Sequence, residues 1–208
     1  MYTDESKTLA KAVATTGSLR FGFFVLRNGK VSPYFMDMKP FIGFPRIYKA
    51  ILRLTTKNVM ERIDLDSYQR VCGVPMAGIP LATGLALELE KPLVCVRKGK
   101  PRGDLMKRLE GPLFTGDRVL VVDDVCATGS SIAKVSDVII SEGGLVEQAF
   151  VIMDMEEGGN ERLSSKGIKL FSLTKISEIA NILLEMESIN ESQRNAIMKR
   201  IESFTKKA

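Results

Sequence analysis

Histidine is absent from this chain of 208 residues, which contains three cysteines. Cys72, Cys95 and Cys126 are odd in number and far apart in sequence, which argues against a disulfide framework and against a cysteine-based metal site. Without histidine, the chain also lacks the usual base of serine and cysteine hydrolases and a common zinc ligand. These absences disfavour metal hydrolases and enzymes with a Ser-His or Cys-His nucleophile.

Long apolar runs are missing as well. The longest runs have the length of a strand, and the N-terminus does not combine a charged head with an apolar core. We therefore expect neither a secretory leader nor a membrane-spanning segment, and we predict a cytoplasmic protein. The composition, 45% hydrophobic and 26% charged, is that of an ordinary globular domain with enough residues to bury a full core.

Two nucleotide-binding signatures are also lacking. The chain contains no Gly-x-x-x-x-Gly-Lys-Ser/Thr run, and no Gly-x-Gly-x-x-Gly follows the first strand. A P-loop nucleotidase and a dinucleotide-binding enzyme are therefore not predicted.

Helical and strand patterns alternate along the chain. Apolar residues follow helical spacing at 5–15, 47–63, 79–89 and 132–140, and strand patterns occupy 69–74, 93–97, 119–122, 146–153 and 168–173. This alternation predicts an α/β fold with a parallel sheet flanked by helices and with ligands at the carboxyl ends of the strands. We expect one domain over 1–208, with an N-terminal segment at 1–45 and a helical tail at 178–208.

The segment 118–132, RVLVVDDVCATGSSI, carries the clearest functional signal. Its apolar strand ends in Asp123 and Asp124 and leads into a loop of small residues that opens a helix. The unpaired amides of a helix start can bind a phosphate placed over 127–131. Carboxylates beside an anion site make sense if they face hydroxyls or positive charge, and a phosphorylated ribose offers both. The segment therefore predicts a sugar-phosphate site, with an Asp-rich turn and helix cap as the structural alternative.

A basic cluster follows the strand at 93–97 and contains Arg97, Lys98, Lys100, Arg102, Lys107 and Arg108. The net charge of +5 fits a nucleic-acid binder or a protein that attracts a small anion. Aromatic residues do not interleave with these charges as a base-stacking platform would require, and no separate helix-turn-helix segment is seen. We therefore interpret the cluster as a loop facing a small anion, and nucleic acid is not an expected partner.

Several segments resemble those of the orotate phosphoribosyltransferases, a family of type I phosphoribosyltransferases. The segment 118–132 resembles their loop for phosphoribosyl pyrophosphate (PRPP). Their leader segment, their pyrophosphate loop and the strand entering their mobile catalytic loop are similar to LRNGKVSPYF (26–35), GVPMAGIPLA (73–82) and KPLVCVRK (91–98). DMEEGG (154–159) stands in the place of a further family motif. The resemblance runs from about Leu19 to Ile182.

The resemblance implies a type I phosphoribosyltransferase fold with an N-terminal hood. It implies transfer of the phosphoribosyl group from PRPP to orotate, which gives orotidine 5'-monophosphate and pyrophosphate. The catalytic residues implied are Asp123, Asp124, Lys100 and Arg97. The PRPP-binding residues implied are Arg97, Lys98, Asp123, Asp124, Val125, Cys126, Ala127, Thr128, Gly129, Ser130, Ser131, Met76 and Ala77.

The resemblance also implies how the reaction is assisted. The loop 98–110 would close over the site and exclude water. Mg²⁺ would be held mainly through PRPP oxygens, with no direct protein ligand, because this ion keeps few protein ligands in such sites. The family habit is a homodimer whose mobile loop reaches the neighbouring site.

The mobile loop and the base site depart from the family pattern. Pro101 stands at the position of a second Lys, and Gly103 stands at the position of a His or Tyr, so Lys100 or Arg102 would take the charge role. In the base site, Met155 replaces an Arg that pairs with the orotate carboxylate. Loss of that pair costs roughly 2 to 5 kcal/mol unless another cation compensates. The base-binding residues implied are Arg27, Phe35, Met36, Ala127 and Met155, with Lys30 as a further nearby cation.

Three interpretations stay open at this point. The first is an orotate phosphoribosyltransferase with a divergent loop. The second is a phosphoribosyltransferase for another base, with an apolar or uncharged ring beside Ala127 and Met155. The third is a non-catalytic relative that binds PRPP or a nucleotide as a signal, because binding without turnover would keep the phosphate site and lose the catalytic loop.

Overall fold

A computed structural model describes residues 2–25, 29, 31–97 and 108–205 of the protein. Its helices α1 to α7 are Asp4–Thr16, Pro45–Arg62, Gly78–Glu88, Ser130–Ser141, Gly159–Ser164, Ile176–Glu185 and Glu191–Thr205. Its strands β1 to β8 are Leu19–Val25, Val31–Met36, Arg70–Gly73, Leu93–Val96, Leu109–Glu110, Arg118–Cys126, Leu145–Asp154 and Lys169–Lys175. Short 3-10 turns lie at Lys39–Gly43 and Leu65–Ser67. The predicted helices and strands are found close to their expected bounds.

The main sheet of the described residues has the strand order β5-β4-β3-β6-β7-β8. β3 pairs in parallel with β4 on one side and with β6 on the other, and β7 and β8 continue the parallel arrangement. The predicted parallel sheet with flanking helices is therefore confirmed. The chain turns to opposite sides of β3, and such a switch between neighbouring strands opens a crevice at their carboxyl ends.

Two details of the sheet differ from the sequence predictions. The predicted loop 98–110 ends in the edge strand β5, which pairs antiparallel with β4 and buries Leu109. β5 is too short for its sequence to show the alternation of a strand. The strand predicted at 119–122 continues to Cys126, because Asp123 and Val125 stay paired with β7. The two carboxylates therefore belong to the last part of a strand and are held by its ladder.

Both faces of the sheet are buried, as alternate residues of β6 show. Leu120 and Val122 belong to one apolar cluster, which includes residues of α1, α3 and α6. Val119 and Val121 belong to a second cluster with α4 and α5. Burial on both faces explains why β6 reads as a continuous apolar run in the sequence.

The N-terminal segment forms the antiparallel hairpin β1–β2, followed by the 3-10 turn and α2. Alternate residues of β2 point inward, so Tyr34 and Met36 are buried while Phe35 is half-buried. Helix α7 of the tail contacts β2, and α6 contacts α1. The N-terminal segment and the tail therefore pack on the same part of the molecule. Across the described ranges, no helix is both long and apolar enough to cross a membrane.

Candidate active site

A cavity of about 670 Å³ opens at the carboxyl ends of β3 and β6. Three segments that are distant in the sequence line it. The N-terminal segment contributes Val25, Phe35 and Lys39, the turn after β3 contributes Val74, Pro75, Met76 and Ala77, and β6 with its following loop contributes Asp123 to Ile132. The cavity therefore brings together the leader, the predicted pyrophosphate loop and the predicted PRPP loop.

The loop after β6 presents the start of α4 to this cavity. Gly129, the residue before the helix, has a left-handed φ of 69°. A Cβ added to Gly129 would lie 2.9 Å from the carbonyl oxygen of Gly159. Within the described residues, no side chain caps the amides of the first turn, and that turn carries no acidic residue. Thr128 and Ser130 add a pair of hydroxyls 3.0 Å apart. This arrangement is suited to a phosphate group.

Asp123 and Asp124 lie at the edge of the cavity with few exposed atoms. Asp123 is 5% exposed, and its Oδ1 accepts a hydrogen bond of 3.0 Å from the Asp124 amide. The Asp124 Oδ1 in turn accepts a 2.9 Å bond from the amide of Val125. Burial, and then the charge of Asp124, raise the pKa of Asp123 well above its ordinary value, and burial also raises the pKa of Asp124. Two carboxyls that are costly to ionise are arranged to meet hydroxyl donors or positive charge.

The turn after β3 is locked against β6. The Val74 amide donates a 2.9 Å hydrogen bond to the carbonyl of Val122, and the Gly78 amide donates a 3.0 Å bond to the carbonyl of Val74. A Cβ at Gly78 would lie 2.5 Å from the Val122 oxygen and 3.0 Å from Oδ1 of Asp123. A glycine is therefore required where α3 begins, because it lets the predicted pyrophosphate loop lie directly beside the carboxylate pair.

Lys39 is a residue of the site that the sequence analysis missed. It lies in the 3-10 turn after β2, and its ammonium binds Oδ1 of Asp37 at 2.6 Å. Its positive charge also lowers the pKa of Asp124, in opposition to the larger effect of burial. The signal available in the sequence was weak, since it consists of one basic residue shortly after the leader motif.

The other predicted site residues fall into three groups. Phe35 and Ala127 line the cavity, whereas Met36 and Met155 are buried in the apolar core and are not among its described lining residues. Arg97 follows β4, is half exposed, and pairs with Glu110; it is not among the described lining residues of the cavity. The remaining cations, Arg27, Lys30, Lys98, Lys100 and Arg102, lie outside the described residues. Their assigned roles stay predictions.

No direct protein ligand for a metal ion is predicted from the sequence. In the candidate site, the side chains whose chemistry suits contact with one are the two carboxylates Asp123 and Asp124. Within the described ranges, no group of three or more His, Cys, Asp or Glu side chains is placed to hold a metal ion. Asp123 and Asp124 nevertheless suit Mg²⁺, which is bound through one or two carboxylates together with substrate oxygens.

A carboxylate pair beside an uncapped helix N-terminus, at the switch point of a parallel sheet, is the arrangement expected of a phosphoribosyltransferase. A model of the phosphoribosyl transferase domain matches residues 45–182, which places the chain in this class. The chain is 36% identical to the orotate phosphoribosyltransferase of Pyrococcus abyssi over 171 residues, which are 82% of this chain and 93% of that protein. The chain belongs to the orotate phosphoribosyltransferase family.

Solved structures agree with this assignment. Orotate phosphoribosyltransferase from Aeropyrum pernix is 36% identical, with a TM-score of 0.72, and the match covers 86% of this chain and 99% of that one. UMP synthase of Leishmania donovani is 25% identical, with a TM-score of 0.85 over 95% of this chain. That match covers 42% of the UMP synthase chain, so the present chain corresponds to less than half of that larger protein.

Proposed function

We propose that this chain transfers the phosphoribosyl group of PRPP to orotate and releases orotidine 5'-monophosphate and pyrophosphate, a step of pyrimidine nucleotide synthesis. The observation that carries the proposal is the joint placement of Asp123, Asp124 and the open N-terminus of α4 around one cavity. Membership of the family, at 36% identity over most of the chain, supports orotate as the base.

The 5'-phosphate of PRPP binds over 127–131 in this proposal. The amides at the start of α4 donate to the phosphate, and the helix dipole adds a partial positive charge at the same place. The hydroxyls of Thr128 and Ser130 supply further donors. Binding by backbone groups fixes the phosphate without mobile side chains and thereby sets the position of the ribose.

Asp123 and Asp124 accept hydrogen bonds from the ribose hydroxyls. As the bond from the anomeric carbon to pyrophosphate breaks, its electron pair leaves with pyrophosphate, and the ribosyl ring acquires positive charge. The ring nitrogen of orotate forms the new bond and loses its proton, which the departing pyrophosphate accepts. Carboxylates fixed in advance beside the developing charge stabilise it without reorganisation.

Pyrophosphate leaves beside the turn of Met76 and Ala77, which lines the cavity. Its negative charge is offset by Arg97, Lys98 and Lys100 in this proposal, and the last two lie outside the described residues. Mg²⁺, held near Asp123 and Asp124 through PRPP oxygens, would supply further neutralisation of the leaving group.

A homodimer in the cytoplasm completes the proposal. The hairpin β1–β2 exposes Phe23 and Val31, and exposed apolar side chains of this kind support contact with a second chain. Light scattering at micromolar protein tests the assembly, and a monomer there would contradict it.

An absorbance assay tests the activity. Protein at micromolar concentration is mixed with orotate, PRPP and Mg²⁺, and loss of orotate is followed. We expect consumption by the unaltered protein and by the control Asp137→Asn, since Asp137 lies on the exposed side of α4 and pairs with Lys166. The double change Asp123→Asn with Asp124→Asn should abolish it. A folded protein that binds PRPP and leaves orotate unchanged would refute the proposal and favour another base or a signalling role.

A further inference from the structure

We propose that Lys39 binds the carboxylate of the base and thereby makes the site selective for an anionic base. The inference deepens the proposed function and rests on it. It assigns to Lys39, a residue of the N-terminal hood, the role of pairing with the base carboxylate. Arg27 and Lys30, the cations that the sequence analysis suggests for this role, lie outside the described residues.

An anionic base needs a compensating cation in this cavity. The described lining already contains the two carboxyls Asp123 and Asp124, which repel a second anion. Met155, which was predicted to contact the base, carries no charge and is 4% exposed. A carboxylate that enters without a partner loses its hydration and gains no ion pair in return.

Lys39 is the one basic side chain among the lining residues that the structure describes. It shares the N-terminal wall of the cavity with Phe35, another predicted base contact. Its side chain is 57% exposed and its ammonium is 2.6 Å from Asp37, so it is both charged and reachable. Arg20 also lies 3.9 Å from Asp37 and would continue to balance that carboxylate when the ammonium of Lys39 turns to a ligand.

The position of Lys39 favours the base over the phosphates. In the proposed function the 5'-phosphate binds the amides at the start of α4, and pyrophosphate lies beside the turn at Met76 and Ala77, which follows β3. Lys39 is close enough to the ribose-binding Asp124 to lower the pKa of that carboxyl against the effect of burial. A base is bonded to the ribose itself, so a cation beside the ribose pair lies within reach of a substituent on the base.

Two nucleotides that differ in one carboxylate provide the test. Orotidine 5'-monophosphate and uridine 5'-monophosphate share the ribose, the phosphate and the pyrimidine ring. Each is titrated calorimetrically into the unaltered protein, Lys39→Met and Lys39→Arg. We expect Lys39→Met to weaken orotidine 5'-monophosphate by about 10- to 100-fold, the value of a hydrogen bond to a charged group. Uridine 5'-monophosphate should change by less than about threefold, and Lys39→Arg should keep most of the discrimination.

Lys57→Met is a matched control. Lys57 has a side chain 55% exposed and an acidic partner, Glu5, at 3.1 Å, but it lies on α2 outside the described cavity lining. We expect it to bind both nucleotides like the unaltered protein. Equal weakening of both nucleotides by Lys39→Met would overturn the inference in favour of a ribose or phosphate contact, and unchanged affinities would overturn it outright. Failure of the proposed function would appear separately, as unaltered protein that does not consume orotate, while the titrations still decide the role of Lys39.

Discussion

Arg200 of α7 forms a two-point ion pair with Glu157, in the loop after β7. Nε and Nη2 of the arginine lie 2.6 and 2.8 Å from the two carboxylate oxygens, and the side chains are 9% and 6% exposed. The guanidinium also lies 5.9 Å from the ring centre of Tyr34 in β2. One residue of the tail thus joins the loop that carries Met155 to the strand that carries Phe35, the two residues that the sequence analysis predicts to contact the base.

Arg200→Met should destabilise the protein strongly. The change leaves the carboxylate of Glu157 buried without its partner, and breaking such a pair costs about 3 to 5 kcal/mol of unfolding free energy. Adding Glu157→Gln to the same chain removes the stranded charge and should restore much of the loss. Urea unfolding followed by circular dichroism measures all three proteins.

An exposed ion pair serves as the control for this experiment. Arg118 and Glu147 are 3.3 Å apart, with side chains 49% and 61% exposed. Arg118→Met should lower the unfolding free energy by less than about 1 kcal/mol, because water screens the pair. Equal losses in Arg118→Met and Arg200→Met would show that burial of the Glu157 pair contributes nothing.

The carboxylate pair should make the free protein less stable as pH rises. The folded-state pKa of Asp123 is raised, mainly by burial and then by Asp124, so the folded protein holds its proton more tightly than the unfolded chain. The contribution of Asp123 to the free energy of unfolding is complete at pH values below its unfolded-state pKa of about 4. It is lost as the pH rises through the higher folded-state pKa. We expect the Tm without ligand to fall over that range.

Asp123→Asn should flatten this dependence and raise the Tm at neutral pH, because the amide has no proton to lose. Asp137→Asn, at an exposed and paired carboxylate, should leave the slope unchanged. The measurement is a series of thermal melts from acidic to neutral pH. An unaltered slope in Asp123→Asn would mean that the carboxyl is not buried as described.

PRPP protection against unfolding should depend on the same pair. A ligand at 100 times its Kd stabilises the folded state by about 2.7 kcal/mol, which is visible as a rise in Tm. The double change Asp123→Asn with Asp124→Asn should abolish the rise produced by PRPP and Mg²⁺ while leaving the protein folded. Protection that survives the double change would contradict the placement of the ribose.

The part of the candidate site around Asp123, Asp124 and the start of α4 could be predicted because it is continuous in the sequence. Strand, carboxylates, small-residue loop and helix follow one another over 118–132, and the alternation of patterns around them predicted the parallel sheet. Local patterns of this kind depend on backbone geometry and the period of burial alone.

Lys39 and the Glu157–Arg200 pair could not be predicted in the same way. Each depends on segments that meet only after folding, since Lys39 approaches Asp124 and Arg200 reaches a loop far earlier in the chain. The sequence around a single charged residue does not indicate which distant carboxylate that residue will contact in the folded protein. Met36 and Met155 are likewise buried in an apolar cluster whose members come from segments far apart in the chain, from Leu9 to Ile197.

Gly78→Ala should damage both the fold and the site. The added methyl would lie 2.5 Å from the carbonyl oxygen of Val122 and 3.0 Å from Asp123, and the first of these is rigid backbone. Relieving the clash moves the start of α3 away from β6, which costs about 1 to 3 kcal/mol or more. Because the same shift separates the turn at Met76 and Ala77 from the carboxylate pair, PRPP affinity should fall together with the Tm.

Gly43→Ala is the control that separates this clash from a general effect of replacing glycine. Gly43 has an ordinary φ, and among the described residues nothing lies within 4 Å of the added Cβ. Its replacement should leave the Tm within about 1 °C or raise it slightly, because alanine restricts the unfolded chain. PRPP titrations and thermal melts of both variants decide the matter, and a Gly78→Ala protein that behaves like Gly43→Ala would show that α3 can move without disturbing Asp123.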